Sequence, residues 1–332
     1  MTQGGFVVPV SALARNLLTS IVTVLAVIVF NFTLIHLAPG DPVTVMVGEM
    51  GGGDPELITR LQQQYGLDRP FAEQLFTYVL SVLTGDLGFS FYYNMPVLDL
   101  ILQRLPATLL LVVSALCLAI VIGTALGVVA AQRPRGILSH LITVISIAGF
   151  SAPVFWVGIV LIIGLASALP IFPTSGMRDV TNIGAGIWGD TVDVAYHLVL
   201  PAFTLATVYL AQYSRLARSS MLEVLSADYV RTARAKGLPE RLVVYKHALR
   251  NAVLPVVTIA GLQFGQVVAG AVLVETVFAW PGLGRLAYES ILRRDSPTML
   301  GILLFSAVIV IVANIVTDMV YRMIDPRIGA RA

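Results

Sequence analysis

Few residues in this chain have the types and spacings that chemistry needs. Its four histidines, His36, His140, His197 and His247, lie far apart and show no metal-ligand spacing such as H-E-x-x-H. The sequence contains no G-x-S-x-G segment, which would offer a hydrolase nucleophile. It also contains no G-x-x-x-x-G-K-[ST] phosphate loop, because Lys236 precedes a glycine. We therefore predict no catalytic residue, no metal site and no cofactor bound by this chain.

The segment with the clearest organisation is basic and lies between long apolar runs, at Asp228–Pro239. Ser226–Asp228 can cap a helix that runs to Lys236. Gly237 can supply the left-handed conformation that commonly ends a helix, and Pro239 can start the next one. The pattern predicts two short helices joined by a tight turn.

This helical turn has two interpretations. Charge alone favours a loop that only sets membrane topology or touches anionic lipid. The organisation favours a rigid docking surface, because the small side chains of Thr232, Ala233 and Ala235 leave it low enough to enter a groove on a partner. Basic residues at its flanks could then pair with acids on the rim of that groove.

Composition assigns the elements around this segment to a membrane. Hydrophobic residues make up 57% of the 332 residues and charged residues 12%, and the mean hydropathy is +0.86. A soluble domain usually has about twice that charged fraction. The net charge of +2 indicates no partner, and the single cysteine, Cys117, can form no disulfide within the chain.

Six apolar runs are long enough to be considered as membrane spans, which need about 20 residues each. We predict an all-α integral membrane protein with six transmembrane helices, since lipid offers no partner to unpaired backbone groups. The third run is interrupted by Gly149–Pro153, and the fourth is short. The runs are Leu17–Leu37, Leu105–Ala131, Leu138–Leu169, His197–Tyr213, Asn251–Phe278 and Thr298–Tyr321.

Lysine and arginine set the orientation of these runs. The bases cluster before the first run, between the second and third, between the fourth and fifth, and after the sixth. We therefore expect both termini on the cytoplasmic side of the membrane. The opposite loops hold most of the acids.

Two outer segments follow from this orientation. Pro39–Arg104 is predicted to form a small helical extracytoplasmic insertion, with Asp54 capping a helix that starts at Pro55–Leu61 and a second helix at Phe71–Leu83. Pro170–Tyr196 is predicted to be an outer loop. We divide the chain into residues 1–103, the first helix with this subdomain, and residues 104–332, a five-helix core containing the basic loop at about 214–250.

Polar residues inside apolar runs are candidates for a translocation pathway. Each also has a structural interpretation: the break near Pro153 can be a kink, Gln263 and Asn314 can bond across helices, and Glu275 can reach water near an interface. The candidates are Ser151, Pro153, Gln212, Gln263, Glu275 and Asn314.

The basic loop resembles the signature that permease subunits of ATP-binding-cassette importers present to their ATPases. Arg231, Thr232, Ala233 and Gly237 hold the places of its Glu-Ala-Ala-x-x-x-Gly form, with arginine replacing glutamate. "DYVRTARAKGL" at 228–238 and "HALRNAVLP" at 247–255 are similar to the dipeptide/oligopeptide/nickel branch. The resemblance covers nearly the whole chain, through "LAPGDP" at 37–42, "GLDRPF" at 66–71, "GDLGFS" at 85–90, "RLPATL" at 104–109, "FSAPVFW" at 150–156, "ETVFAWPGLG" at 275–284 and "DPRI" at 325–328.

The resemblance implies a type I importer transmembrane fold and the first permease of a pair that passes peptides across the cytoplasmic (inner) membrane. It implies a second, similar permease, two ATPase subunits that use ATP and Mg, and an extracytoplasmic substrate-binding protein. The residues it implies for ATPase coupling are Asp228, Tyr229, Arg231, Thr232, Ala233, Ala235, Lys236, Gly237 and Leu238.

Two alternatives remain open from the sequence. A nickel chelate or another small solute could be the substrate of the same kind of complex. An ion-coupled secondary transporter is the other, but the apolar runs show neither a duplicated break nor a central carboxylate.

Overall fold

The computed structural model describes residues 10–37, 59, 68–90, 92–179 and 186–324, which form a helical protein with one short hairpin. The predicted cap at Asp54, the predicted helix at Pro55–Leu61 apart from Thr59, and the "DPRI" segment lie outside the described residues.

The first two helices are α1 (Val10–Leu37) and α2 (Phe71–Leu83). Helix α1 begins before the predicted Leu17. Helix α2 has the predicted bounds and starts after Pro70, whose fixed φ suits a helix entry.

A two-stranded hairpin precedes the longest apolar helix of the first half. Strands β1 (Phe89–Ser90) and β2 (Met95–Pro96) are antiparallel, with Phe89 opposite Pro96. Helix α3 (Val97–Gln132) follows at once and therefore starts before the predicted Leu105.

The third apolar run is broken where the sequence predicts it. Helix α4 (Ile137–Ser151) ends at Ala152, whose backbone is extended as expected before a proline. Helix α5 (Val154–Leu161) starts after Pro153 and continues as a π-helical segment, Ile162–Ala168. The two parts are bent by 106°.

Helix α6 (Gly186–Leu225) is much longer than predicted. The helix extends beyond the expected span of His197–Tyr213 at both ends, and the expected loop up to Tyr196 is wrong from Gly186 onward. Residues 186–196 are polar enough to be mistaken for a loop, but they continue the helix. The Thr191 hydroxyl donates to the Ile187 carbonyl. One turn further on, an Asp193 carboxylate oxygen lies 3.3 Å from the Nδ1 atom of His197.

The remaining helices complete the second half of the chain. The helical stretch Glu240–Ala252 leads into the fifth run and is bent by 41° relative to Leu254–Ala260. The elements are α7 (Asp228–Ala235), α8 (Glu240–Leu242), a π-helical segment (Val243–Ala248), α9 (Leu249–Ala252), α10 (Leu254–Val277), α11 (Leu283–Leu292) and α12 (Ser296–Ile324).

Length and composition qualify part of this set as membrane spans. In the described part of the chain, three single helices, in α3, α6 and α12, are long and apolar enough to cross a membrane. The number rises to five if each of two bent helix pairs is counted as one span. Shorter apolar helices lie at Leu18–Leu34, Phe71–Leu83 and Gln263–Val277. The count of six spans stays a prediction.

The chain divides into two compact units, Met1–Gln103 with Ala287–Val312 and Arg104–Leu286 with Ala313–Ala332. In the first, the Asn31 amide donates to the Leu300 carbonyl at 3.3 Å, and the Ser90 hydroxyl donates to Asp295 at 2.5 Å. In the second, α4, α5, α9 and α10 pack on α6. Its core includes Leu111, Leu205, Tyr213, Val267, Phe278 and Trp280.

Candidate functional site

Helix α7 starts without a side-chain cap. Its N-cap is Ala227, with extended backbone and no capping hydrogen bond, and the Ser226 hydroxyl donates instead to the Glu223 carbonyl at 2.7 Å. The predicted cap position within Ser226–Asp228 is confirmed at Ala227, but no side chain makes a capping hydrogen bond there. Asp228 still places a negative charge in the first turn, where the helix dipole favours it.

The end of α7 has the predicted geometry. Gly237 has φ of +75°, the left-handed conformation that favours glycine. Its N–H donates to the Arg234 carbonyl at 2.9 Å, and the N–H of Leu238 donates to the Ala233 carbonyl at 3.4 Å. These two bonds form a Schellman motif, which ends the helix and turns the chain toward α8.

One face of α7 is buried. Val230 and Ala233, three residues apart, pack with Val243 of the π-helical segment in a small apolar cluster that Leu238 partly covers. The expectation that Ala233 helps to form the low outer surface is wrong, because Ala233 faces inward. Its small size instead lets α7 lie close to the segment behind it.

An ion pair closes the turn from the outside. The Arg234 guanidinium donates two hydrogen bonds to the Glu240 carboxylate, at 3.1 and 2.7 Å. These bonds lower the pKa of the Glu240 carboxyl below its ordinary value. Arg234 also donates to the Leu225 carbonyl at 3.4 Å, which ties α7 to the end of α6.

The opposite face of α7 and its turn are exposed. Tyr229 is 45% exposed, and its hydroxyl accepts a hydrogen bond from the Asn251 amide at 2.8 Å. Arg231 lies 3.6 Å from Asp228 across one helical turn. The other exposed residues of this surface are Thr232, Ala235, Lys236 and Gly237.

A second apolar cluster connects this region to two long helices. Val244 and Ala248 of the π-helical segment pack against Val128 of α3 and Met221 of α6. The segment thus supports α7 on one side, through Val243, and contacts α3 and α6 on the other. Val224 and Leu225 of α6 touch both clusters.

Helices α3 and α6 approach each other closely at two glycines of α3. A Cβ on Gly127 would lie 2.5 Å from the Ser214 carbonyl oxygen, and one on Gly123 would lie 2.8 Å from the Tyr213 Cβ. The spacing of four residues is the small-residue pattern that lets membrane helices pack backbone to backbone. The two helices therefore pack backbone to backbone at these positions, where a larger side chain would not fit.

The polar pathway candidates fall into separate places. The Gln263 amide donates to Gln212 at 2.5 Å, so these two residues bond across α10 and α6. Ser151 and Pro153 are exposed at the bend between α4 and α5, and Asn314 is exposed on α12.

Glu275 does not reach water, and that expectation is wrong. Its side chain is fully buried. The carboxylate accepts hydrogen bonds from the Thr108 hydroxyl at 2.7 Å and from the Arg285 N–H at 3.0 Å. The Thr108 hydroxyl oxygen in turn accepts from the N–H of Leu283 at 2.7 Å. Glu275 and Thr108 therefore cap the start of α11, where backbone donors have no helical partner.

The rest of this cradle is close-packed. The Trp280 indole donates to the Ala107 carbonyl at 2.8 Å. A Cβ on Gly282 would lie 2.2 Å from a Glu275 oxygen, so only glycine leaves room for the carboxylate.

The comparisons with known proteins agree with this helical arrangement. Residues 123–330 match the family model of the binding-protein-dependent transport system inner membrane component. Residues 10–112 match the N-terminal model of the same kind of membrane component. The chain belongs to this family. The predicted resemblance to permease subunits is confirmed.

Relatives of this transport component align with it over almost its full length. The dipeptide transport system permease protein DppB of Escherichia coli (strain K12) is 41% identical over 330 residues, 95% of this chain and 97% of that protein. The oligopeptide transport system permease protein AppB of Bacillus subtilis (strain 168) is 41% identical over 319 residues, 95% of this chain and 98% of that protein. The di/tripeptide transport system permease protein DppB of Pseudomonas aeruginosa (strain UCBPP-PA14) is 41% identical over 331 residues, 96% of this chain and 98% of that protein.

A solved structure supports the fold of this transport component. A chain of the MetNI methionine ABC transporter, in an inward-facing conformation, matches 68% of this chain and 96% of its own length. The TM-score is 0.54 and the identity 18%. The likeness shows the transmembrane fold that the resemblance implies.

The sequence alone does not predict the residues that surround and hydrogen-bond Glu275. Thr108 lies in "RLPATL" and Gly282 in "ETVFAWPGLG", two motifs that carried the resemblance without a structural role. The signal was a lone carboxylate followed within ten residues by a Pro-Gly turn. Thr108 lies 167 positions away from Glu275 in the sequence, and no local pattern reveals their hydrogen bond.

Proposed function

We propose that this chain is one of two permease subunits of an ATP-driven importer that passes peptides across the cytoplasmic membrane. The relatives named above are dipeptide, oligopeptide and di/tripeptide permease proteins, aligned over 95% or 96% of this chain. Peptides are therefore favoured over nickel chelates as the substrate.

The proposal depends on one observation, the division of α7 and its turn into a buried face and an exposed face. An eight-residue helix exposes Tyr229 and Thr232, with the exposed Lys236 at its C-cap, and packs Val230 and Ala233 on the opposite face. A loop that only set topology would need neither the buried cluster nor the Schellman turn. We assign this exposed face to contact with an ATPase subunit.

The contacts behind α7 supply a route for mechanical coupling. A push on α7 reaches Val243 through the first cluster, and Val244 and Ala248 then press on Val128 and Met221. Helices α3 and α6 respond together, because Gly123 and Gly127 hold them backbone to backbone. Closure of two ATPases on ATP and Mg would in this way bias the helices between two packings.

The proposal fixes the remaining partners and the orientation. A second, similar permease completes the pathway, two ATPase subunits supply the energy, and an extracytoplasmic binding protein delivers the peptide. Both termini and the basic loops face the cytoplasm, in accordance with the distribution of lysine and arginine. The chain itself binds no cofactor.

The pathway residues in this proposal are uncharged. Ser151 and Pro153 lie at a 106° bend, where a broken helix leaves backbone groups free to face a cavity. Gln212, Gln263 and Asn314 offer uncharged hydrogen-bonding groups. Glu275 is left out, because its carboxylate is occupied by Thr108 and Arg285.

Purification of the tagged chain from its native membrane in mild detergent tests the partners. We expect a second permease and phosphate-loop ATPases to be recovered with it. Recovery of the chain alone, while a control transporter complex survives the same extraction, would contradict the proposal.

Uptake measurements test the energy source and the substrate. We expect uptake of a labelled tripeptide by intact cells to persist when an ionophore removes the proton gradient and ATP is maintained. Loss of uptake under those conditions would favour an ion-coupled carrier. Competition by a nickel chelate and none by unlabelled peptides would replace the proposed substrate class.

A further inference from the structure

A second basic region lies away from α7, in the loop Arg133–Gly136 between α3 and α4. Both Arg133 and Arg135 are exposed there. Gly136 makes a tight turn, with its N–H donating to the Arg133 carbonyl at 2.9 Å. Helix α4 begins immediately afterwards, and no side chain caps its first turn.

Arg218 of α6 reaches the same loop. Its Nη2 donates to the Pro134 carbonyl at 3.3 Å, and its Nη1 donates to the Thr143 hydroxyl at 3.1 Å. The Nε atom is buried and has no hydrogen-bond partner. The guanidinium is thus fixed against the loop by two neutral acceptors.

The positive charge of this region is not neutralised within the described part of the chain. Among the described residues, no acid forms an ion pair with Arg133, Arg135 or Arg218. The buried hydroxyl of Ser139, at the start of α4, also has no hydrogen-bond partner. Three arginines at this end of α4 therefore have no carboxylate partner among the described residues.

An exposed apolar surface begins directly beside these charges. Ile137 is 82% exposed, Leu138 58% and Leu141 52%, and the exposure continues along α4 at Val144 and Ile145. A basic group at the end of an apolar helix face matches the two parts of a phospholipid, a charged headgroup and acyl chains.

We propose that Arg133, Arg135 and Arg218 bind the phosphate of an anionic phospholipid, whose acyl chains lie along Ile137, Leu138 and Leu141 of α4. The inference rests on the proposed function only for its orientation, which places this loop at the cytoplasmic leaflet. The lipid neutralises the arginines and holds the start of α4 against α6.

Lipid is a better match than an ATPase surface. A soluble partner would contact the arginines alone, whereas one phospholipid accounts both for the arginines and for the exposed Ile137, Leu138 and Leu141 beside them. The exposed face of α7 is a separate basic surface with its own support.

Native mass spectrometry of the purified full-length chain, mixed with defined lipids, tests the proposal. We expect phosphatidylglycerol to stay bound where phosphatidylcholine does not. The double variant Arg133→Gln/Arg135→Gln should lower the affinity for phosphatidylglycerol about 30-fold. Each basic residue near an anionic surface contributes about 1 kcal/mol, which is about fivefold in affinity, and the two losses multiply.

The matched control is Arg69→Gln/Arg178→Gln, which removes two exposed arginines from the predicted outer segments. It should leave the affinity unchanged. Equal losses in both variants, or equal retention of the two lipids by the wild type, would overturn the proposal. Because lipid binding is read without ATPases or peptide, its failure is distinguishable from failure of the importer assignment.

Two further outcomes would assign the arginines to another ligand. Binding of glycerol 1-phosphate as tightly as phosphatidylglycerol would show a site for a soluble phosphate and would overturn the lipid source. Loss of ATPase subunits from the Arg133→Gln/Arg135→Gln complex, with phosphatidylglycerol retained, would show a protein contact instead.

Discussion

The turns at Gly237 and at Gly282 belong to the same compact unit but depend on glycine for different reasons. At Gly237 a side chain would meet nothing within 4 Å, and the constraint is the backbone φ of +75°. At Gly282 a Cβ would lie 2.2 Å from the Glu275 carboxylate, and the constraint is space. The first turn is open to solvent, whereas the second is filled.

The difference separates a contact surface from a scaffold. The Gly237 turn is held by a small apolar cluster and an exposed ion pair, so little free energy opposes its local opening. The Gly282 cradle holds a buried carboxylate that accepts hydrogen bonds from Thr108 and Arg285, and removing one partner leaves a buried group unsatisfied. A surface that must fit another protein suits the first construction, and a fixed helix junction suits the second.

The largest effect is expected for Gly282→Ala. The added Cβ must displace Glu275 or the backbone, which we expect to lower the free energy of unfolding by about 3 kcal/mol or more. Thermal unfolding of the detergent-purified chain measures it. Gly164→Ala is the control, since a Cβ there meets nothing within 4 Å, and equal losses in the two variants would contradict the cradle.

Thr108→Val should follow in size. It keeps the side-chain volume but removes the hydroxyl shared by Glu275 and the N–H of Leu283, at a cost of about 1–3 kcal/mol. Thr124→Val is the matched change, because the buried Thr124 hydroxyl has no hydrogen-bond partner. We expect that variant to unfold at the wild-type temperature or above it, and a ranking in the reverse order would refute the role of Thr108.

Gly237→Val should cost about 1–2 kcal/mol locally, because a side chain is strained in the left-handed conformation. The turn should open while the spanning helices stay folded, so membrane insertion persists and peptide uptake is lost. Gly237→Asn should keep more uptake, since asparagine tolerates this conformation. Normal uptake by Gly237→Val would disprove the need for the turn.

The smallest effect concerns the ion pair of Arg234 and Glu240. Hydrogen bonds from Arg234 hold the pKa of Glu240 below its ordinary value of 4.5. The pair therefore stabilises the turn above that pH and stops doing so as the pH falls through the lowered pKa. Both groups are largely exposed, so Glu240→Gln should cost less than about 1 kcal/mol at pH 7. Limited proteolysis of the loop measures this, and an unchanged pH profile in the variant would contradict it.

The sequence predicts elements whose signals are local. The segment Gly149–Pro153 interrupts an apolar run, and Gly237 followed by Pro239 indicates a turn, so both breaks are predicted locally. A proline alone is not enough, because Pro106 and Pro201 lie inside helices. The start of α6 was missed because Asp190 and Asp193 lower the hydropathy of residues that are nevertheless helical. Hydropathy indicates whether a segment lies in lipid or in water. It does not indicate where a helix begins, because a helix can extend beyond the lipid into water.

The site is predicted less completely, because its contacts join distant residues. The spacing of Val230 and Ala233 is that of one helical face, and it could have predicted which side of α7 is buried. Nothing near Glu275 predicts its bond to Thr108. Likewise, Arg218 shows its contact with Pro134 only once α4 is folded onto α6.

Site-specific photo-crosslinking tests the central claim most directly. A photoreactive residue placed at Thr232, on the exposed face of α7, should form an adduct with an ATPase subunit in native membranes. The same residue at Leu222, an exposed position of α6 outside the turn, should give none. No ATPase adduct at Thr232, while the assembled complex is recovered from the same membranes, would contradict the assignment of α7 as the coupling surface.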